Sequence, residues 1–142
     1  MPLLLDQALV VARTALEEGR RRALSPLCAA VLDAGGHPLA LLRDDGAGIS
    51  RAEIATAKAA GCLGMGLGGR ELARRAEATP HFFMALAVIF PNGLVPLPGG
   101  VIIRDEAGGL LGAVGVSGDT SENDEACALA GVGASGLVAD PG

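Results

Sequence analysis

The clearest structural signal in the sequence is LLGAVGVSGDTSENDE, residues 110 to 125. Its first part, Leu110 to Val116, is a run of small and branched apolar residues, typical of a buried strand. Val101 to Arg104 is a second apolar run, and the turn-forming residues between the two predict a hairpin. Ser117 to Thr120 ends the strand. A helix is predicted from about Ser121 to Ala134. Ser121, with Asp124 three residues later, is the candidate cap, and the acidic Asp124 and Glu125 favour the positive N-terminal end of a helix.

The N-terminal half predicts a helix, a hairpin and a second helix. Leu3 to Arg22 has apolar residues at helical spacing. Two further apolar runs, Leu27 to Asp33 and Leu39 to Arg43, flank a Gly-Gly-His-Pro turn, which predicts antiparallel neighbouring strands. The residues Ser50 to Glu53 have capping-box spacing, so a helix is expected to begin there and to continue until Gly64.

The middle of the chain is less distinctive. Arg70 to Ala78 predicts a short helix before Pro80. His81 to Phe90 is apolar, and its periodicity allows either a strand or a buried helix. The elements do not alternate as regular βαβ units. Together they predict an α+β sandwich with a mainly antiparallel sheet, formed by residues 1–142 as one domain.

Composition restricts the possible partners. Half of the residues are hydrophobic and 19% are charged, more aliphatic surface than a small domain can hide alone, so we expect a homo-oligomer, a dimer or larger. The net charge of -5 argues against nucleic acid, whose phosphates need clustered Lys and Arg. The apolar run Met84 to Phe90 is too short to span a membrane, and the first residues lack a signal peptide's basic start. These features predict a cytoplasmic protein with no membrane partner.

Metal-binding patterns are sparse. His37 and His81 have no partner at metal-ligand spacing, which argues against a structural zinc site. A single imidazole can still be an axial haem ligand, and His81, beside two phenylalanines, is the stronger candidate. The three widely spaced cysteines are expected to be buried thiols.

Three polar positions could hold or act on a ligand. The Ser117-Gly118 turn offers backbone N–H groups to an anion, or is simply a tight connection. Arg43 could bind a ligand carboxylate or pair with a neighbouring Asp. Lys58, the only lysine, lies on a largely apolar helix. There it either reaches solvent or lines a cavity as an electrostatic anchor or proton-transfer group.

Taken together, these residues resemble the GlcG/HbpS-like family of haem-binding and haem-degrading proteins. The similarity extends, in order, over the motifs at residues 31–40, 43–47, 58–59, 99–100, 112–118 and 124–131. It implies a profilin-like sandwich with a central five-stranded antiparallel sheet, assembling as dimers or larger rings. The sequence departs from the family at Gly61, where the family has Thr, and at Asp44, where it has Met. The loss of Thr opens volume if that face of the helix lines the pocket.

The resemblance implies a small-molecule-binding protein whose pocket holds a carboxylate-bearing ligand, with haem or another tetrapyrrole as candidate cofactor. Arg43, Lys58 and the Ser117-Gly118 turn would hold the propionates, while His81 or His37 would reach the iron. The predicted ligand-binding residues are Arg43, Gly61, His81, Gly99, Gly100, Ser117 and Gly118, with His81 as metal ligand.

Two other functions stay open. One is a cofactor-independent enzyme, a hydrolase, isomerase or lyase acting on a small carboxylate-bearing metabolite. Arg43 would then orient the acid, and Lys58, Asp45 or Glu125 would move protons. The other is an assembly protein whose pocket is vestigial.

Overall fold

The protein, seen in a computed structural model that describes residues 1–142, contains five helices and one five-stranded sheet. In chain order the elements are α1 (Leu5–Arg21), β1 (Cys28–Asp33), β2 (Pro38–Arg43), α2 (Arg51–Met65), α3 (Gly69–Ala78), α4 (Pro80–Ile89), β3 (Gly100–Arg104), β4 (Leu110–Ser117), α5 (Ser121–Ala134) and β5 (Val138–Asp140). The strand order is β2-β1-β4-β3-β5, with every neighbouring pair antiparallel. This confirms the α+β fold with an antiparallel five-stranded sheet.

Helices cover both faces of the sheet. On one face, α1 and α5 bury Val11 and Val132 in a cluster that includes Val31 and Val114 of the strands. On the other face, α2 contributes Ala55 and Ala59, and α3 and α4 lie behind it. Helices α1, α2 and α5 thus each bury an apolar face against the central sheet, as layered α+β proteins require.

Glycines let α2 lie unusually close to the sheet. A Cβ on Gly115 would overlap the carbonyl oxygen of Ala55 and lie 2.9 Å from the nitrogen of Ala59. A Cβ on Gly100 would lie 2.7 Å from both the sulfur of Cys62 and the carbonyl oxygen of Lys58. The glycines of β3 and β4 are therefore required by direct backbone contact between helix and strands.

The segment from 81 to 90 departs from expectation. It forms α4, which begins at Pro80, but only Phe83 of this helix is buried. Phe82, Met84, Val88 and Ile89 are exposed. Of the two alternatives, the helix is confirmed, but its expected burial is wrong, because apolar composition does not reveal whether a partner element covers the segment.

Two predicted helix caps also differ from the structure. Ser50 makes no side-chain capping bond at the start of α2. At the start of α5, the cap is Thr120, whose Oγ1 accepts from the backbone N–H of Asn123 at 3.2 Å. The helix begins at Ser121 as expected, but the residue before it supplies the capping oxygen.

All three cysteines are buried free thiols, as predicted. Burial raises the pKa of Cys28 to about 11, of Cys62 to about 12 and of Cys127 to about 11. None of the five helices combines the length and the apolar character that a membrane span requires.

Candidate functional site

An open groove with two lobes runs beside α2. The lobe near the β1–β2 turn has a volume of about 260 Å³, and the lobe near the start of α2 has about 470 Å³. Both are lined by the turn Pro91-Asn92-Gly93, which lies over the middle of the groove. Together the lobes fall in the size range of small-molecule sites. We call this feature the α2 groove.

The lining of the α2 groove is mostly apolar. Leu63 and Phe90 line the smaller lobe, and Leu41 lines the larger one. Glu53 is the only ionisable side chain among the lining residues. Such a surface suits the apolar body of a ligand, whose charged groups must be met at the ends of the groove.

One end of the groove lies beside an imidazole. Gly35 lines the smaller lobe, and a Cβ on it would lie 3.1 Å from Cδ2 and 3.4 Å from Nε2 of His37. Asp33 fixes this turn, because its Oδ1 accepts from the backbone N–H groups of Gly35 and His37 at 2.9 and 3.0 Å. His81 is exposed in the first turn of α4 and lines neither lobe.

The other end lies beside two arginines. Arg43, Cys28 and Ser117 occupy one row across β2, β1 and β4, so their side chains share a face of the sheet. Arg51, the first residue of α2, donates from Nη1 to Oγ of Ser117 at 3.1 Å. Arg43 donates from Nη1 to the carbonyl oxygen of Ala47 at 3.1 Å.

These arginines have no acidic partner. Eight of the chain's eleven Lys and Arg residues lie within 4.0 Å of a carboxylate. The other three are Arg13, Arg43 and Arg51. The larger lobe is lined by Leu41, which lies two residues before Arg43 on the same face of β2. It is also lined by Ala52, which directly follows Arg51. Neither arginine lines a lobe itself, and Arg43 lines a separate cleft at the edge of β2. Each lies close in the chain to a residue of the larger lobe, so two guanidinium groups without a carboxylate partner lie near that lobe.

Lys58 lies away from the groove in a buried ion pair. Its Nζ donates to Oδ2 of Asp124 and to the carbonyl oxygen of Val116, both at 3.0 Å. The side chains of Lys58 and Asp124 are 3% and 1% exposed. Gly99 leaves room for them, since a Cβ there would lie 2.8 Å from Nζ. Burial raises the pKa of Asp124, and Lys58 opposes that rise. The pair links α2 to α5 past the end of β4.

The backbone donors directly after the Ser117-Gly118 turn, those of Asp119 and Thr120, are met by the chain's own carboxylates. Asp119 accepts from the backbone N–H groups of Ser25 and Thr120, both at 2.9 Å, and from the amide of Asn123 at 2.7 Å. Asp124 accepts from the N–H of Asp119 at 2.9 Å. Chiefly because of the bond from Asn123, helped by the two backbone bonds, the pKa of Asp119 is lowered to about 2.

This lowered pKa predicts a specific loss of stability in acid. Ionised Asp119 stabilises the fold above its ordinary pKa of 3.8, and that contribution disappears as the pH falls towards about 2. Asp119→Asn keeps an acceptor oxygen but removes the titration, so its urea midpoint should fall less than that of wild type between these pH values. Arg21 and Arg22 lower the pKa of Glu18 to about 2. Glu18 therefore also loses its stabilising charge in this pH range. Glu18→Gln measures the separate contribution of Glu18 to this loss of stability. If the urea midpoint of Asp119→Asn depends on pH as that of wild type does, the assignment to Asp119 is contradicted.

The three residues predicted to move protons lie in separate places. Glu125 pairs with Arg70 at 2.6 Å, and Lys58 is buried with Asp124. Asp45 lines a third cleft, of about 400 Å³, at the edge of β2. Beside it, Asp44 pairs with Arg20 at 2.6 Å.

Two of the four glycines predicted to bind the ligand, Gly61 on α2 and Gly100 on β3, serve packing. The space over Gly61 holds Leu94, whose Cδ1 would lie 2.5 Å from an added Cβ. Gly100 is likewise pressed against α2. Neither glycine is among the residues that line the groove.

Sequence reasoning missed Arg51 and the covering turn. Arg51 offered one signal: a cation in the first turn of a helix opposes the helix dipole, so it needs an electrostatic reason to be there. Pro91-Asn92-Gly93 is recognisable as a turn, but nothing local indicates that it lies over α2.

Comparisons with known proteins agree on one family. The family model described as "Haem degrading protein HbpS-like" matches residues 3–133. A crystal structure of HbpS is 31% identical, with a TM-score of 0.81 over 94% of this chain and 89% of that chain. No match is found among curated proteins.

Two less similar structures share the fold. PduOC in complex with haem is 23% identical, with a TM-score of 0.85 over 97% of this chain and 98% of that one. The Klebsiella pneumoniae protein ORFY is also 23% identical, with a TM-score of 0.84 over 94% and 90% of the two chains.

Proposed function

Because this chain belongs to the HbpS-like family of haem-degrading proteins, we propose that it binds haem, or another tetrapyrrole with carboxylate groups, in the α2 groove. The observation that carries the proposal is the pair of arginines without acidic partners, Arg43 and Arg51, which adjoin residues of the larger lobe of an open apolar groove. A tetrapyrrole has a flat apolar body and peripheral carboxylates, which is the chemistry this arrangement complements.

The residues around the groove suit each part of such a ligand. Leu41, Leu63 and Phe90 supply apolar surface. Arg43 and Arg51 supply guanidinium groups, which can bind a carboxylate through two parallel hydrogen bonds. Bound haem would supply an iron that accepts a neutral imidazole as axial ligand. His37, beside the smaller lobe, is the imidazole favoured by position.

The remaining predicted residues take supporting roles in this proposal. Ser117 accepts from Arg51 and so orients that guanidinium. Gly99 and Gly100 allow Lys58 and α2 to pack closely, which positions the helix that forms one wall of the groove. Ligation of iron by His81 stays a prediction, and so do the catalytic roles of Lys58, Asp45 and Glu125 and the cytoplasmic location. Because those three residues lie in separate places, no observation supports the enzyme alternative.

Titration with hemin tests the proposal. Wild type should give a saturable, shifted Soret band at one haem per chain. Arg43→Ala and Arg51→Ala should each weaken binding roughly 10- to 100-fold, because a hydrogen bond to a charged group contributes about 1.5–3 kcal/mol. Arg13→Ala is the matched control: Arg13 also lacks an acidic partner but lies on the exposed face of α1, outside the groove.

The controls distinguish the possible sites. Equal weakening by Arg13→Ala would place the ligand in the cleft at the edge of β2, which Arg13 and Arg43 both line, and would contradict the groove assignment. A Soret band that does not saturate would reject haem altogether. His37→Ala and His81→Ala then identify the iron ligand, because only the variant that has lost this ligand should change the position of the band. A change in His81→Ala alone would favour His81 over His37.

A further inference from the structure

Residues 90–94, which we call the covering segment, contain the turn over the α2 groove and are held on α2 by apolar contacts alone. At one end of the segment, Leu94 lies over Gly61, where its Cδ1 would be 2.5 Å from an added Cβ. At the other end, Phe90 lies over Gly64, where its Cε2 would be 2.8 Å from an added Cβ. No hydrogen bond or ion pair joins the covering segment to α2.

The covering segment closes the passage between the two lobes of the groove. Gly93 packs against Ala57, since a Cβ on this glycine would lie 3.1 Å from the Cβ of that alanine. The three positions of α2 that the segment touches, 57, 61 and 64, have the spacing of a single helix face. Ala57 lines the larger lobe and Gly64 the smaller one, so this line of contact runs between the lobes. A rigid, flat ligand cannot extend into both lobes while the segment is seated.

We propose that Leu94 is a specificity-determining residue, because its contact with Gly61 must open before a ligand that reaches both lobes can bind. This inference rests on the proposed function, in which two arginines adjoin the larger lobe and His37 lies beside the smaller one. A tetrapyrrole that meets both sets of groups has to displace the covering segment, whereas a ligand confined to one lobe does not. The free energy of the contact therefore weakens tetrapyrrole binding selectively, since only the open fraction of the protein is competent to bind.

Leu94 is the anchor of the covering segment that acts without touching the ligand. It is 7% exposed, belongs to the buried apolar cluster that contains Ala59 and Cys62, and lines neither lobe. Phe90 is only partly buried and lines the smaller lobe, where a ligand would contact its ring directly. A change at Leu94 therefore alters the closure of the groove and leaves its lining intact.

Hemin affinity, measured by Soret titration, tests the proposal. Leu94→Val removes one buried methylene from the contact and should bind hemin about fivefold more tightly than wild type. Gly61→Ala adds a methyl that displaces Cδ1 of Leu94, so it should also tighten binding. General damage to the fold would instead weaken binding. Leu72→Val is the matched control: Leu72 is buried in the same cluster but lies outside the covering segment, and its variant should not bind more tightly than wild type.

Two further measurements check that both variants act on the same contact. The combination of Leu94→Val with Gly61→Ala should return the affinity towards that of wild type, because the added methyl occupies the volume that the shortened side chain leaves. Hydrogen exchange needs no ligand: the amide of Gly93, which donates to the carbonyl oxygen of Phe90 at 3.1 Å, should exchange faster in each single variant than in wild type. In the combined variant its exchange should slow again.

The outcomes separate this inference from the proposed function. Unchanged or weaker hemin binding in both single variants would overturn the role of Leu94, as would an unchanged exchange rate of Gly93 in both. If one single variant fails to fold by circular dichroism, the other decides the test. If wild type binds no hemin, the proposed function fails and the effect on tetrapyrrole binding fails with it, while hydrogen exchange still decides whether Leu94 holds the covering segment on α2.

Discussion

Gly115→Ala should lower the free energy of unfolding by about 3 kcal/mol or more. The added methyl would overlap the Ala55 carbonyl oxygen and lie 2.9 Å from the nitrogen of Ala59. Both are backbone atoms of α2, so no side chain can rotate away to relieve the overlap. The helix must move away from β4, and the apolar contacts that Ala55 and Ala59 make on this face of the sheet are then lost.

Urea unfolding of purified protein measures this effect. The matched control is Gly133→Ala, also a single added methyl, at a position in α5 with nothing within 4 Å of the new Cβ. Alanine is the better helix former, so the control should gain up to about 1 kcal/mol. An unfolding midpoint of Gly115→Ala equal to that of wild type would show that α2 is not held against β4 as closely as described.

Lys58→Met should cost about 3–5 kcal/mol at neutral pH, because it leaves the carboxylate of Asp124 buried without its cation. Asp124 is 1% exposed, and its remaining partner is the backbone N–H of Asp119 at 2.9 Å. Methionine fills a volume similar to that of the lysine stem, so the loss reports the charge rather than a cavity.

A double-mutant cycle and a pH series check this assignment. Adding Asp124→Asn to Lys58→Met removes the unpaired charge and should restore much of the lost stability, whereas independent effects would simply add. Burial already raises the pKa of Asp124, and removing Lys58 raises it further. Since a group with a raised pKa in the folded state favours folding at low pH, the deficit of Lys58→Met should shrink as the pH falls from 7 towards 5.

The elements of the fold follow closely from local sequence signals. The turn residues between the apolar runs identified both hairpins, β1–β2 and β3–β4, because such turns have specific residue requirements. β5, with three residues from Val138 to Asp140, was not predicted from its own residues. It is too short to show a period, and its pairing with Ile102 to Arg104 is a tertiary contact. The five-stranded sheet was implied by the family resemblance, which the match over residues 3–133 confirms.

The candidate site was only partly accessible from sequence. Arg43 was identified from its place at a strand end beside acidic residues. Its structural neighbour Ser117 is 74 positions away and joins it only through the strand row containing Cys28. The partners of Lys58 and Glu125 were likewise invisible, since Asp124 and Arg70 lie 66 and 55 residues away in the chain. A residue type suggests what it could bind, but the fold decides whether another side chain has already bound it.

Because its three cysteines are buried, the protein has no reactive thiol on its surface. With pKa values of about 11 to 12, Cys28, Cys62 and Cys127 hold almost no thiolate at neutral pH, and the thiolate is the nucleophile. A single cysteine introduced on the exterior would consequently be the one position open to a spectroscopic label. The native thiols, one within each of the three buried apolar clusters, become reactive only when the structure around them opens.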